Sequence, residues 1–105
     1  MEIAVCNKYH GTVGEYIGRG SPLGNPFKIG RYTREQVIEK YEEWLREKIN
    51  NSYSPVCDEM NRLYYLAEKQ PINLICFCSP KLCHGNIIKE ILLEKFIERK
   101  GKELT

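Results

Sequence analysis

The sequence contains no apolar run that approaches the about 20 residues needed to span a bilayer. It also lacks internal repeats, low-complexity tracts and any block of like charges, because Lys and Arg alternate with Asp and Glu and leave a formal net charge of only +2. Nucleic acid is a possible partner but is not implied. Met1 leads directly into a strand-like segment without the pattern of a signal peptide, so we expect a cytoplasmic protein with no membrane partner.

The cysteine pattern excludes a framework of disulfides. Five is an odd number, and the positions do not resemble those of small secreted domains: Cys6, Cys57, Cys76, Cys78 and Cys83. Paired Cys-x-x-Cys knuckles, the P-loop and the dinucleotide fingerprint are also missing. We therefore expect free thiols and no cofactor, and nothing in the sequence indicates the oligomeric state.

The composition is that of an ordinary globular protein, with 42% hydrophobic and 29% charged residues in a chain of 105, which we interpret as one domain over 1–105. Apolar residues on both faces predict buried strands at 2–6 and 72–78. The stretch 15–19 predicts a further short strand, which lies between these two along the chain. Burial on both faces favours parallel pairing of the first and last strands.

Three helices are predicted from capping residues and apolar spacing. The first begins after Thr33, which heads a capping box, and the second begins at Pro55 after Ser54. The third covers 85–100, with Gly101 as its stop. Helices that alternate with buried strands favour an α/β fold, specifically a small three-layer, Rossmann-like sandwich with a short, mainly parallel sheet.

The segment "CFCSPKLCHGN" at 76–86 lies where the last strand ends and the last helix begins. Ligands of open α/β sheets bind beyond the carboxyl ends of the strands, and helix starts favour anions. Lys81 supplies a positive charge there and Gly85 permits close backbone approach. Cys83 is placed for thiolate formation and nucleophilic chemistry, and His84 beside it is placed to act as base or hydrogen-bond donor.

Other interpretations of the sulfur atoms stay open. Cys76, Cys78, Cys83 and His84 match tetrahedral zinc in number and type, although their spacing is not that of a zinc knuckle. Cys78 and Cys83 form a candidate redox pair. Core packing as small apolar groups is the plainest interpretation, particularly for Cys76 in mid-strand.

Polar residues in the glycine-rich loop region are further candidates. Arg19 follows the short strand, where a guanidinium binds phosphate or carboxylate or else forms a surface ion pair. Asn25, before a proline, either reads a base edge or braces the turn. Phe27 is expected to anchor this loop, and Asn86 either caps the last helix or contacts a ligand.

Four segments together, "VCNKYHG", "EYIGRGSPLGNPFKIG", "TREQVIEKYEEWL" and "ICFCSPKLCHGN", resemble a family of small uncharacterised domains found in bacteria and their phages. The positions that match the family's motifs are Asn7, Arg19, Gly24, Asn25, Pro26, Phe27, Cys78, Pro80, Cys83, His84 and Gly85. The family usually has Asp where this chain has Asn86, and often Trp where it has Phe77. The resemblance implies a shared site and names no reaction.

The leading hypothesis is a domain that binds or processes a nucleotide or a related phosphorylated metabolite. The predicted catalytic residues are Cys83, His84 and Cys78, and the predicted ligand-binding residues are Asn7, Arg19, Asn25, Phe27, Lys81, Gly85 and Asn86. A zinc-stabilised interaction module and a thiol redox protein are the alternatives. No enzyme class follows from the sequence.

Overall fold

The computed structural model describes residues 1–11, 13–27, 30–51, 54–77 and 83–103. The elements are β1 (Ile3–Asn7), a 3₁₀ turn (Lys8–His10), β2 (Glu15–Tyr16), α1 (Arg34–Asn50), α2 (Pro55–Lys69), β3 (Ile72–Cys76) and α3 (His84–Glu103). This order of strands and helices is the one that the sequence predicts. Within the described ranges, no helix combines the length and the apolarity needed to cross a bilayer.

The three strands form one parallel sheet in the order β1-β3-β2, with β3 in the centre. Ile3 lies beside Ile72 and Asn7 beside Cys76, while Tyr16 pairs with Ile75 on the other side. The predicted parallel pairing is therefore confirmed. Because all three strands run in the same direction, their carboxyl ends and the loops that follow them lie at one edge of the sheet.

One face of the sheet carries most of its buried residues. Ile3, Ile72, Leu74 and Cys76 alternate along β1 and β3 onto the same face, and they belong to one buried cluster with residues of all three helices. Ala4, on the opposite face, is exposed. Ile75, also on that face, is buried. The α/β fold is confirmed, and the three-layer, Rossmann-like arrangement stays a prediction.

Several strand and helix ends differ from the sequence prediction. β1 covers Ile3–Asn7 instead of 2–6, and β2 ends at Tyr16 instead of residue 19. β3 ends at Cys76 instead of continuing to residue 78, and the next side chain, Phe77, is 44% exposed. The predicted stop at Gly101 is wrong, because α3 continues to Glu103. An exposed glycine costs a helix only about 1 kcal/mol, and Lys102 forms an ion pair with Glu98 one turn earlier.

The helix starts at α1 and α2 confirm the predicted caps. The Thr33 hydroxyl accepts a hydrogen bond from the Gln36 amide, and the Gln36 side chain accepts one from the Thr33 amide, which completes a capping box. Ser54 is buried; its hydroxyl accepts from the Cys57 amide at 3.0 Å and donates to the Lys48 carbonyl at 2.8 Å. Ser54 therefore fastens the end of α1 to the start of α2.

Removing the two cap hydroxyls should have unequal effects on stability. Thr33→Ala removes one cap bond at an exposed position and should lower the free energy of unfolding by about 1 kcal/mol. Ser54→Ala removes two bonds and leaves the Cys57 amide unpaired near the core, while the Lys48 carbonyl keeps its bond from the Asn51 amide, so we expect a loss of about 2 kcal/mol. Urea denaturation followed by circular dichroism measures both values, and an equal or smaller loss in Ser54→Ala would contradict this account.

Candidate functional site

A cavity of about 500 Å³ lies at the carboxyl edge of the sheet. Each of the three strands delivers a residue to it: Tyr9 follows β1, Arg19 follows β2 and Phe77 follows β3. The first turn of α1 and the start of α3 complete the wall. This is the position in which ligands bind to open parallel sheets.

Five of the sequence-predicted site residues line this one cavity, namely Arg19, Asn25, Phe27, Cys83 and His84. Arg19 and Cys83 are 64 positions apart in the chain and still share it. Two predicted site residues, Cys78 and Lys81, lie outside the described residues, as does Pro80. Whether the lining residues bind or react with a ligand stays a prediction.

Sequence reasoning missed several residues of the wall: Tyr9, Arg34, Val37, Ile38 and Phe77. Arg34 is the first residue of α1, directly after the Thr33 cap, and its position carried a usable signal because a helix start that follows a glycine-rich loop often faces a ligand. Tyr9 and Phe77 gave no comparable signal. An exposed aromatic residue in a loop has no periodicity that distinguishes it from a core residue.

Two arginine side chains line the cavity. Arg19 is exposed and makes no ion pair or hydrogen bond with a described residue, and Arg34 provides a second guanidinium. Among the described lining residues there is no carboxylate. α1 and α3 both begin at this cavity, so the partial positive charges of two helix starts add to the arginines.

Cys83 and Cys76 lie in contact beneath the cavity. Their Sγ atoms are 3.4 Å apart, and both side chains are buried within the core cluster, which confirms the core position predicted for Cys76. The Cys83 amide donates to the Asn86 Oδ1 at 3.0 Å, so Asn86 closes the first turn of α3. The described ranges contain no group of three or more His, Cys, Asp or Glu side chains placed to hold a metal ion.

His84 is held in the wall as a neutral ring. Its Nε2 lies 2.6 Å from the Ile17 carbonyl oxygen, and because a carbonyl can only accept, Nε2 carries the hydrogen. The ring also packs edge to face on Tyr41, with 5.1 Å between centroids. Burial lowers the pKa of His84, and the hydrogen bond to Ile17 opposes this with a smaller effect. Nδ1 is therefore the nitrogen left to accept a proton.

Internal hydrogen bonds brace the loops around the cavity. Asn7 accepts from the Tyr9 amide at 2.9 Å and donates to the Phe77 carbonyl at 3.3 Å, which joins the segments after β1 and β3. Asn25 accepts from the Phe27 amide at 2.9 Å, in the bracing role that the sequence left open. The three asparagines that the sequence predicted to bind a ligand, Asn7, Asn25 and Asn86, therefore each accept a hydrogen bond from a backbone amide of the chain itself.

The loop between β2 and α1 is also attached to the core. The Tyr41 hydroxyl, on α1, donates to the buried Leu23 carbonyl at 2.7 Å. Burial raises the pKa of Tyr41, and the nearby charge of Cys83 adds to this. The phenol therefore stays protonated and keeps its donor. This bond fixes the loop that carries Arg19 and Phe27.

Close packing requires a glycine at position 85, independently of the role at a ligand that the sequence predicts for Gly85. A Cβ atom at this position would lie 2.9 Å from the Ile17 Cδ1 and 2.9 Å from the Val5 Cγ1. These distances are shorter than ordinary van der Waals contact between carbons. The missing side chain lets the first turn of α3 rest directly on the sheet, which sets the position of Cys83 and His84.

Comparison with known proteins identifies a family and no activity. Residues 5–94 match the model of a family described as "Domain of unknown function (DUF4326)". The matched segment includes every described residue that lines the cavity. No curated protein and no solved structure matches the chain. The predicted resemblance to a family of uncharacterised domains is confirmed, and a bacterial or phage origin stays a prediction.

Acid should destabilise the domain through His84. Because the pKa of His84 is lowered in the folded chain, the unfolded chain takes up a proton first as the pH falls through its ordinary value of 6.5. The stability contributed by the neutral ring is present above this pH and is lost as the pH falls towards the lower folded pKa. We expect His84→Gln, which keeps an amide donor, to show a flatter fall in the free energy of unfolding between about pH 7.5 and 5.

The chain's other histidine provides the control for this experiment. Urea titrations at each pH would be repeated on His10→Gln, which carries the same substitution elsewhere. A slope that flattens in His10→Gln but not in His84→Gln would show that the acid-sensitive group is not the one in the cavity wall.

Alanine at two glycines of α3 should change stability in opposite directions. Gly85→Ala forces the first turn of the helix away from the sheet and should cost about 1–3 kcal/mol. Gly101→Ala meets open space in the same helix and should stabilise by about 0.5–1 kcal/mol. Thermal and urea unfolding of both variants test this contrast, and a harmless Gly85→Ala would show that the close packing is not needed.

Proposed function

The chain belongs to the DUF4326 family, and we propose that the domain binds a nucleotide or a related phosphorylated metabolite in the cavity at the carboxyl edge of its sheet. One observation carries the proposal. Arg19 and Arg34 share a cavity with aromatic rings, and no carboxylate is among its described lining residues. An anionic ligand with a flat apolar part has the complementary chemistry.

The positive side of the cavity suits a phosphate. A guanidinium can donate two parallel hydrogen bonds to phosphate oxygens, and such charge-assisted bonds are about twice as strong as neutral ones. Arg19 is exposed and has no carboxylate partner among the described residues, so no ion pair with any of those residues must be broken before it binds. The starts of α1 and α3 provide the same sign of charge.

The apolar side of the cavity suits a base. Tyr9 is 82% exposed and lies against Phe77, with 5.4 Å between ring centroids, and both rings line the cavity together with the half-buried Phe27. Bases stack on aromatic side chains with about 1–3 kcal/mol per base. A volume of about 500 Å³ is within the range of sites for small molecules and cofactors.

Cys83 and His84 are the reactive groups of the proposed site. Both lie in its wall, and Cys83 directly precedes α3, where the partial positive charge of the helix favours an anion. In this proposal Cys83 is the nucleophile or a ligand contact. His84 is its proton partner through Nδ1, because Nε2 donates to Ile17. Cys78, the third predicted catalytic residue, and Lys81 keep their predicted roles from the sequence.

Nucleotide binding should depend on Arg19. Isothermal titration of the purified domain with AMP, ATP, GTP, UMP and inorganic phosphate should give saturable binding of at least one nucleotide, tighter than that of phosphate alone. Arg19→Gln should weaken that binding about tenfold to a hundredfold, the value of one or two charge-assisted bonds.

Lys69→Gln is the matched control for this loss of charge. Lys69 is exposed at the end of α2, which leads to the amino end of β3 and therefore to the edge of the sheet away from the cavity. Its replacement should leave the affinity unchanged. An equal loss in both variants would indicate unspecific attraction of anions, and no binding of any of these nucleotides would contradict the proposed function.

A further inference from the structure

Cys76 and Cys83 form a thiol pair, although the sequence grouped them only as candidate zinc ligands. Their Sγ atoms are 3.4 Å apart, although seven positions separate them in the chain. Cys76 ends β3 and Cys83 precedes α3, so the pair joins the two elements at the floor of the cavity. The redox partner predicted for Cys83 from the sequence is Cys78, which lies outside the described residues.

We propose that hydrogen peroxide oxidises Cys76 and Cys83 to an intramolecular disulfide. A disulfide requires the two sulfurs to approach to about 2.05 Å, so they must move together by about 1.4 Å. Side-chain rotation together with a small shift at the ends of two elements can supply this movement. The bond would tie the end of the central strand covalently to the start of α3.

The two cysteines differ in their position relative to the cavity. Both are buried, with exposed fractions of 1% for Cys83 and 0% for Cys76, but Cys83 is among the residues that line the cavity and Cys76 is not. Hydrogen peroxide is only slightly larger than water and can enter a cavity of about 500 Å³. Cys83 is therefore the thiol that peroxide attacks first, and Cys76 is the resolving thiol.

The chemistry balances with hydrogen peroxide as the oxidant. The Cys83 thiolate attacks one peroxide oxygen, the O–O bond breaks, and the products are a Cys83 sulfenic acid and hydroxide. The Cys76 sulfur then attacks the Cys83 sulfur, the S–O bond breaks, and the leaving hydroxide takes the Cys76 proton to form water. Two sulfurs are oxidised by two electrons in total, and one peroxide is reduced.

The remaining cysteines with described positions serve as comparisons. Cys57 is buried on α2, where its sulfur accepts a hydrogen bond of 3.8 Å from the side-chain amide of Asn61. Cys6 lies half-buried on β1. Neither has a sulfur contact among the described residues, and neither lines the cavity. Because they have no such contact, neither should be found in an intramolecular disulfide at peroxide concentrations that cross-link Cys76 and Cys83.

Peptide mapping of the oxidised full chain tests the pair directly. Reduced protein is treated with hydrogen peroxide, alkylated under denaturing conditions and digested with trypsin, which cleaves after Lys69, Lys81 and Lys89. We expect a cross-link between the peptides 70–81 and 82–89. Fragment ions of the cross-linked species should assign the bond to Cys76, because 70–81 also contains Cys78.

Single variants separate this pair from its rivals. The cross-link should form in Cys78→Ser and be absent in Cys76→Ala and Cys83→Ala. In Cys83→Ala, Cys76 should still be alkylated after peroxide treatment, because its only route of oxidation is through Cys83. Should either alanine variant fail to fold, as judged by circular dichroism, the fragment assignment in the wild-type chain and in Cys78→Ser decides the question.

Three results would overturn the proposal. The first is a wild-type chain with no cross-link at peroxide concentrations that already oxidise Cys6 or Cys57. The second is a bond that fragment ions assign to Cys78 and Cys83. The third is a sulfenic acid on Cys76 in the Cys83→Ala variant, which would reverse the order of attack.

Discussion

The parallel pairing of β3 with strands on both of its sides is the constraint on which the site depends. Asn7 lies beside Cys76 and Tyr16 lies beside Ile75, so the chain leaves all three strands at the same edge. Parallel strands cannot be joined by tight turns, and the connection from β2 to β3 therefore runs through α1 and α2. α1 begins at the carboxyl edge, where the chain leaves β2, and its first turn closes the cavity there.

Internal polar contacts keep this edge open and ordered. Asn7, Asn25 and Asn86 hold backbone amides, while Tyr41 and His84 hold the carbonyls of Leu23 and Ile17. No described side chain has a buried nitrogen or oxygen without a partner. These bonds join the segments around the cavity to one another and to the core, so the protein's own contacts set the geometry of the cavity.

Local chemistry made much of the fold predictable. The capping box at Thr33 and the Ser54 cap fix where α1 and α2 begin, since those bonds join residues three positions apart. Strand ends and the end of α3 were harder to predict. β3 stops before Phe77, and α3 passes through Gly101, because pairing partners and solvent exposure decide those boundaries and neither can be read from periodicity.

The sequence by itself determined the strands, the helix caps and the presence of Cys83 and His84 at a helix start, because these features depend on neighbours within a few residues. Only the tertiary structure decided that Cys76 contacts Cys83, that His84 donates to Ile17, and that Arg34 joins Arg19. These contacts depend on the register of the sheet and on the packing of α1 and α3 at its edge. Those long-range relations leave no periodic trace in the sequence.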